Sequence, residues 1–475
     1  MLELIVHYTN LHGEQYNDSQ ALLGLAFDQW TRTDQIEMRS FFGLLFLSGV
    51  LRASREPISS LWNEEEVFQR SIFPATMSRN RFLQILRFIR FDDKSSRAIR
   101  LETDKLAAIS EVSNMINIRL RQCYYPSESL TVDEQLVRFF GRCPFRMYMP
   151  SKPAKYGIKF WILCDSANGY CLNFQVYTGR AIGAPPEKHQ GQRVVLELTE
   201  HLEGGYNITV DNFFTSVQLA ESLLRRPNPL TLVGTLRRNK PEIPTPFLST
   251  RNRQLHSSLF CFDRSMTLVS YLAKQSKCVV LLSTFHHDAT VLNEENENRP
   301  EIIDYYNRTK VGVDLMDQKL SYYRTGRGTR RWTLALFLNL LDICAHNAYI
   351  VWRDLHPEWQ ANRNDKRRVF LLDLGKSLVM PQIRERDRAG LHRPILRAIA
   401  AATGQFDPPA PEAAAALSPR ARCEICGRSR DKKTKLRCAL CRRMVCKMHS
   451  TNRVEVVCQL CAAADEAVEP IDEEI

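Results

Sequence analysis

The sequence contains no tandem repeat, and glycine supplies only 20 of its 475 residues. A collagen-like chain is therefore excluded. The opening MLELIVHYTN has no charged n-region and no long apolar h-region, so no secretory leader is expected. A clean lipid-spanning run is also missing. The most apolar stretch, Leu334 to Trp352, carries Asn339, Asp342, His346 and Asn347, which are costly in lipid. It reads as a buried core helix, and no membrane partner is expected. Seven of the 14 cysteines (Cys123, Cys143, Cys164, Cys171, Cys261, Cys278 and Cys344) have no ligand spacing. In a reducing compartment they read as small buried hydrophobes rather than as a disulfide framework. Acidic residues are in deficit, with 53 Asp+Glu against 65 Lys+Arg and a net charge of +12. That balance points to a polyanionic partner, most often nucleic acid.

Hydrophobic residues make up 44% of the chain and charged residues 25%. These are ordinary globular values, and they exclude wholesale disorder and a pure coiled coil. Residues 1–128 read as helical, with apolar residues at helical spacing in FFGLLFLSGVLR and RFLQILRFIRF. From 129 to 236 the pattern changes to strands broken by two helices. Ser166 to Gly169 forms a hairpin-turn signal between two of those strands. The expected class is α/β with a mixed sheet. Residues 237–300 read as a polar, basic, short-stranded insertion, 301–323 as a return to the sheet domain, and 324–401 as helical again. A Pro/Ala-rich linker spans 402–421, a Cys-rich module 422–462 and an acidic tail 463–475.

The module reads Cys423-x2-Cys426-x11-Cys438-x2-Cys441-x4-Cys446-x2-His449-x8-Cys458-x2-Cys461. Eight ligands in four pairs suit two tetrahedral zinc ions. Interleaving assigns Cys423, Cys426, Cys446 and His449 to one ion. Cys438, Cys441, Cys458 and Cys461 take the other. Closed four-ligand sites are structural, and so short a segment needs them to fold. Its basic loops suit phosphate contacts, with a peptide-reading module as the alternative.

Four acidic residues at three sites stand out. Asp133 lies in the strand-like SLTVDEQLV, Asp211 ends NITVD, and Asp314 and Asp317 stand three apart in GVDLMDQKL. Carboxylates at the ends of sheet strands face the crevice where α/β sites form. Together they could hold two Mg²⁺ for phosphoryl transfer. Each Asp alone reads more readily as a cap or an ion-pair partner than as a catalytic group.

The segment LTVDEQLVRFFGRCPFRMYMPSKPAKYGIKFWILCDS (130–166) resembles the piggyBac transposase family, and further blocks follow in the family's order. They are NITVDNFFTS, LVGTLRRNKPEIP, YYNRTKVGVDLMDQ, RRWTLALF and the terminal Cys/His module. The resemblance runs from about residue 25 to 461. It implies a ribonuclease H-like catalytic core, interrupted by an insertion, with a helical dimerisation and DNA-binding domain split around it. It implies a catalytic triad of Asp133, Asp211 and Asp314 on Mg²⁺, with Asp317 assisting. It implies Mg-dependent cut-and-paste transposition at TTAA through hairpin intermediates, on double-stranded DNA, by a nuclear homodimer. Arg237 and Lys240 match family residues that handle target DNA, Asn212 follows the second Asp, and Trp332 matches an aromatic near DNA. The run Arg324 to Arg331, including Arg330 and Arg331, reads as a phosphate contact. The bland readings are a solvated loop for Arg237 and Lys240, a helix start for Trp332 and an exposed loop for the arginine run. Arg363 to Arg368 reads equally as an import or DNA-contact run and as a charged helix face. Family members carry a longer acidic N-terminal region than this chain, so a truncated or decayed copy is one expectation. A non-catalytic, domesticated DNA-binding or chromatin protein is the alternative to an active enzyme.

Overall fold

The computed structural model describes residues 1–24, 28–63, 70–180, 185, 187–293, 297–404, 421–423, 425–426, 433–434, 436 and 444–449. Contacts divide the chain into two compact units, Met1–Arg384 and Glu385–Ile475.

The first unit opens with helices α1 (Leu2–Leu22), α2 (Gln35–Val50), α3 (Ile72–Thr76), α4 (Arg79–Phe88), α5 (Arg97–Leu101) and α6 (Ser110–Gln122). Local chemistry sets their starts. Asp34 caps α2 by accepting from the Glu37 N–H at 2.8 Å, and Ser78 caps α4 by accepting from the Arg81 N–H at 3.1 Å. Helix α2 is apolar all round and buried from Phe41 to Val50, as expected of a helix enclosed by its neighbours.

Strands β1 (Ser129–Arg138), β2 (Arg146–Tyr148), β3 (Tyr156–Asp165) and β4 (Cys171–Val176) begin the sheet. Then come α7 (Gln190–Leu198), β5 (Asn207–Val210), α8 (Val217–Leu224), β6 (Thr231–Thr235) and the short α9 (Thr245–Leu248). Strands β7 (Ser258–Asp263), β8 (Met266–Lys274) and β9 (Lys277–Ser283) complete it. The order is β2-β3-β1-β5-β6-β9-β8-β7, with β4 also on β3. Strand β1 pairs antiparallel with β3 and parallel with β5, and β5 pairs parallel with β6. The 237–300 region does not stand apart from this sheet, because β9 pairs with β6 and β8 and β7 continue the edge. The Ser166–Gly169 turn joins β3 to β4. Gly169 has φ +76, and a Cβ there would meet the Met316 backbone nitrogen at 3.0 Å.

Alternation along β1 splits its side chains between two layers. Leu130 and Val132 join Leu163, Val194, Leu198, Val210, Leu219 and Leu223 in the core beneath α7 and α8. Thr131 and Gln135 face the opposite layer, formed by α10 (Glu301–Thr309) and α11 (Gly312–Tyr322). The Thr131 hydroxyl donates to the Thr309 carbonyl at 2.5 Å, and a Cβ on Gly312 would meet Thr131 Oγ1 at 2.7 Å.

Helix α12 (Trp332–Leu355) is long and apolar enough to cross a membrane, yet 67% of its apolar window is buried within the protein. Each of its polar interruptions is tied to the surrounding fold, while His346 Nδ1 is buried without a hydrogen-bond partner among the described residues. Asp342 accepts from the Thr325 N–H at 2.9 Å, the His346 imidazole lies 3.2 Å from the Gly169 carbonyl, and Asn347 brackets both backbone groups of Cys171. The N-terminal helices pack on α12 and on α13 (Lys366–Glu385). Phe337 lies 5.5 Å from Phe42 and 4.6 Å from Phe91, ring centre to ring centre. Phe46 and Val50 join Ala345 and Leu371 in a separate cluster. Gly43 of α2 and Gly375 of α13 allow a close crossing, since a Cβ on Gly43 would lie 2.9 Å from the Gly375 carbonyl.

The second unit holds α14 (Arg393–Thr403), stopped by Gly404 at φ +69, and the paired strands β10 (Ala421–Arg422) and β11 (Lys433–Thr434).

Candidate active site and metal-ligand clusters

Parallel pairing of β1 with β5 ends at Val132 and Val210. The next residues are Asp133 and Asp211, so two carboxylates emerge side by side where β5 stops and β1 runs on. At this open rim Glu134 joins them from the opposite layer. Ligand oxygens of Asp133, Glu134 and Asp211 all lie within 4.8 Å of one another. Burial, then the charge of Glu134, pushes Asp133 up to about 7. Burial also raises Asp211, while hydrogen bonds from the Phe213 and Phe214 backbone and the charge of Arg237 oppose it.

Two lysines serve this cluster. Lys152 donates to the Glu134 carbonyl at 3.2 Å and lies 3.5 Å from its carboxylate. Lys159 lies 3.9 Å from the same carboxylate, with its ammonium 5.4 Å from the Trp161 ring centre and 5.1 Å from that of Phe213. Burial lowers the Lys159 pKa, and the charges of Glu134, Asp211 and Asp133 oppose that.

On the other layer Asp317 accepts from Gln135 Nε2 at 2.7 Å, while Gln135 Oε1 accepts from Asn339 Nδ2 at 2.8 Å. One amide thus ties β1 to α11 and α12. Burial raises Asp317, and the Gln135 bond opposes it. Gln135, Asp317 and Asn339 line a cleft of about 1110 Å³ with Arg55, Arg138, Lys152, Arg324, Arg327 and Arg330. Its predominantly cationic rim suits a phosphate backbone.

In the second unit Cys423, Cys426, Cys446 and His449 converge. His449 Nδ1 lies 3.6, 3.5 and 3.5 Å from the three sulfurs in chain order, and Cys426 and Cys446 sulfurs are 3.8 Å apart. A tetrahedral centre with bonds of about 2.3 Å to sulfur and about 2.0 Å to nitrogen has edges of about 3.8 and 3.5 Å. The donor set therefore fits a metal. Cys438, Cys441, Cys458 and Cys461 lie outside the described residues.

Residues 1–349 match the family model described as Transposase IS4. A solved piggyBac transposase, in a cryo-EM synaptic complex with hairpin DNA, is similar to this chain. Its TM-score is 0.76 and its identity 32%, over 97% of this chain and 96% of that one. The chain belongs to the piggyBac transposases. Human piggyBac transposable element-derived protein 3 is 25% identical over 402 residues, covering 80% of this chain and 62% of its own length. Human piggyBac transposable element-derived protein 2 is 22% identical over 370 residues, covering 74% and 59%. The chain thus spans about three-fifths of the length of these curated relatives. The β3-β1-β5-β6 arrangement is the ribonuclease H-like core of a piggyBac transposase.

The sequence-derived residues fall into distinct places within this piggyBac fold. Asp133 and Asp211 meet. Asp314 is exposed on the first turn of α11 and is not part of the Asp133–Glu134–Asp211 set. Arg237 and Asn212 are exposed together at the same rim, 3.3 Å apart, with the Arg237 guanidinium 5.6 Å from the Phe213 ring centre. Lys240 is half-buried in the turn after Arg237. Trp332 opens α12 and packs edge-on against Phe145 at 5.1 Å. Arg330 is exposed on the cleft. Arg331 departs from the expected DNA contact. Its guanidinium donates to the carbonyls of Leu86 and Arg87, both at 3.0 Å, and to that of Ile89, closing the end of α4. Sequence reading missed Glu134, Lys152, Lys159 and the Gln135–Asn339 pair. For Glu134, Gln135, Lys152 and Lys159 the one available signal was their position inside the LTVDEQLV and SKPAKYGIK blocks, and for Asn339 its place as a polar interruption of the apolar run 334–352.

Proposed function

We propose that the chain is an active DNA transposase that excises and integrates elements at TTAA by Mg-dependent strand cleavage and transfer. The observation that carries this is the meeting of Asp133, partway along β1, with Asp211 at the end of the parallel strand β5, beside a cationic cleft. Hard carboxylate oxygens at this spacing fit magnesium. Asp133 and Asp211, with Glu134 beside them, would hold it, and Asp314, from the exposed first turn of α11, would complete the triad. Bound there, the ions supply an activated water or 3′-hydroxyl and charge neutralisation at the leaving oxygen.

The chain's own groups do the rest. The Phe213 N–H fixes Asp211 by donating to it at 2.8 Å. Lys152 and Lys159 offset the crowding of negative charge and hold Glu134 in place. Arg237 and Asn212 at the rim and Arg330 on the cleft meet DNA phosphates. The Asn339–Gln135 pair aims Asp317 into the cleft. In the second unit, Cys423, Cys426, Cys446 and His449 would hold zinc as a structural centre, with a second zinc on Cys438, Cys441, Cys458 and Cys461. Holding two element ends calls for two copies of the chain, and the nucleus is the proposed compartment.

A second reading is a DNA-binding derivative without cleavage. The exposed place of Asp314 outside the carboxylate set favours it. Incubating the protein with Mg²⁺ and DNA carrying its element ends beside TTAA separates the two. Nicks and hairpins support the enzyme, whereas binding with intact strands supports the derivative.

A further inference from the structure

The tip formed by β1, β2 and β3 carries a patch unlike the carboxylate rim. Phe140, Tyr148 and Tyr156 are 57%, 54% and 39% exposed. Tyr148 and Tyr156 stand opposite each other across β2 and β3, with ring centres 4.8 Å apart. Phe140 lies 6.3 Å from Tyr156, which is therefore the middle ring. Guanidinium groups flank the row. Arg138 lies 5.1 Å from the Phe140 ring centre and Arg146 5.3 Å from that of Tyr156. Arg146 also donates to the Phe140 and Gly141 carbonyls at 2.9 and 3.1 Å, which fixes the loop that presents Phe140. The neighbouring Phe139 and Phe145 are buried, and Arg142 is exposed in the same loop.

Large rings left in water are unfavourable, and these are held in position by backbone and arginine contacts rather than folded inward. A partner that offers flat faces and regularly spaced negative charge matches both halves of the patch. Paired bases hide their faces in the stack, whereas unpaired nucleotides expose them. The patch is also continuous with the cleft, because Arg138 and Phe140 line it together with Gln135 and Asp317. Along β1, Arg138 lies five residues beyond Asp133, about 17 Å at the usual rise of a strand.

We propose that Phe140, Tyr156 and Tyr148 form a stacking platform for unpaired nucleotides of the DNA beside the cut, with Arg138, Arg142 and Arg146 on their phosphates. This rests on the DNA-transposase reading. The test uses the full chain in magnesium-free buffer, so that no strand is cut. The probe is a duplex with a short unpaired flank containing 2-aminopurine, compared with the same sequence fully paired. Binding should quench the fluorophore in the flank. Phe140→Ala and Tyr148→Ala should each weaken binding of the flanked DNA about tenfold, and weaken the paired DNA less. Phe140→Trp and Tyr148→Phe should retain both affinity and quenching, since a ring remains. Absence of quenching, or equal losses on paired and unpaired DNA, would overturn the platform. So would a change in oligomeric state with unchanged affinity, which would assign the rings to a second copy of the chain. Cleavage with Mg²⁺ is read separately. Quenching without any cleavage by the wild-type chain sinks the enzyme reading and leaves the platform, while cleavage without quenching does the reverse.

Discussion

Asp342 is a carboxylate buried inside the apolar helix α12, held by the Thr325 N–H. Burial pushes its pKa from 3.8 to about 7, against the opposing pull of that hydrogen bond and of Arg367 and Arg324. A raised carboxylate pKa means that the folded state prefers the protonated form. Its favourable contribution is complete below pH 3.8 and is lost as pH rises towards about 7. The difference corresponds to on the order of 4 kcal/mol. Asp342→Asn keeps an oxygen to accept from Thr325 and removes the charge. Its melting temperature should match the wild type near pH 4 and exceed it increasingly up to about pH 7. A gap that does not change with pH would refute this. At the same scale, Asp133 and Asp211 were legible because Asp133 interrupts the apolar positions of a strand-like block and Asp211 ends NITVD. Glu134 was not, because alternation sends the residue after Asp133 to the other layer. Only the early end of β5 lets both layers meet at the rim. Lys152 and Lys159 are distant neighbours in the chain, and nothing in their spacing points to a shared carboxylate.

Among the elements, Arg330 and Arg331 divide the labour of one basic run. Arg331 gathers three carbonyls at the end of α4 and so ties that helix to the start of α12. Arg331→Ala should cost about 3 kcal/mol in denaturant unfolding, because it strands carbonyls that accept charge-assisted bonds. Arg331→Lys should recover only part of that, since one ammonium cannot span the fork. Arg330→Ala should leave stability unchanged, but lower the slope of log affinity for DNA against log salt by about 0.9. Equal effects of the two substitutions on both measurements would contradict the division. The sequence pattern marked both arginines alike, because charge and local composition do not say which side chain turns inward. Helices α2, α4 and α12 and the turn at Gly169 were readable from period and turn chemistry. The pairing of β9 with β6 was not, since register between strands so far apart in the chain depends on tertiary packing.

For the whole molecule, the zinc proposed for the cysteine module and the magnesium proposed for the sheet domain predict different responses to metal removal. Stripping metal with a chelator should unfold the Cys423–His449 region, because its donors converge on one point and little apolar core supports them. Cys446→Ser should mimic this. Circular dichroism and tryptophan fluorescence should show the main transition of the first unit persisting, and its collapse on chelation would count against a separate structural centre. The net charge of +12 and the basic run Arg324 to Arg331, which supplies part of the cationic cleft, were evident in the sequence. The location of that cleft beside Asp317 needed the fold.

The most direct measurement is strand cleavage by Asp133→Ala on element-end DNA beside TTAA with Mg²⁺, set against its DNA affinity. The substitution removes a carboxylate at the junction of β1 and β5 but no phosphate contact. Affinity should stay near that of the wild type while nicks and hairpins vanish. Normal cutting by Asp133→Ala would show that the Asp133–Asp211 pair does not carry the reaction.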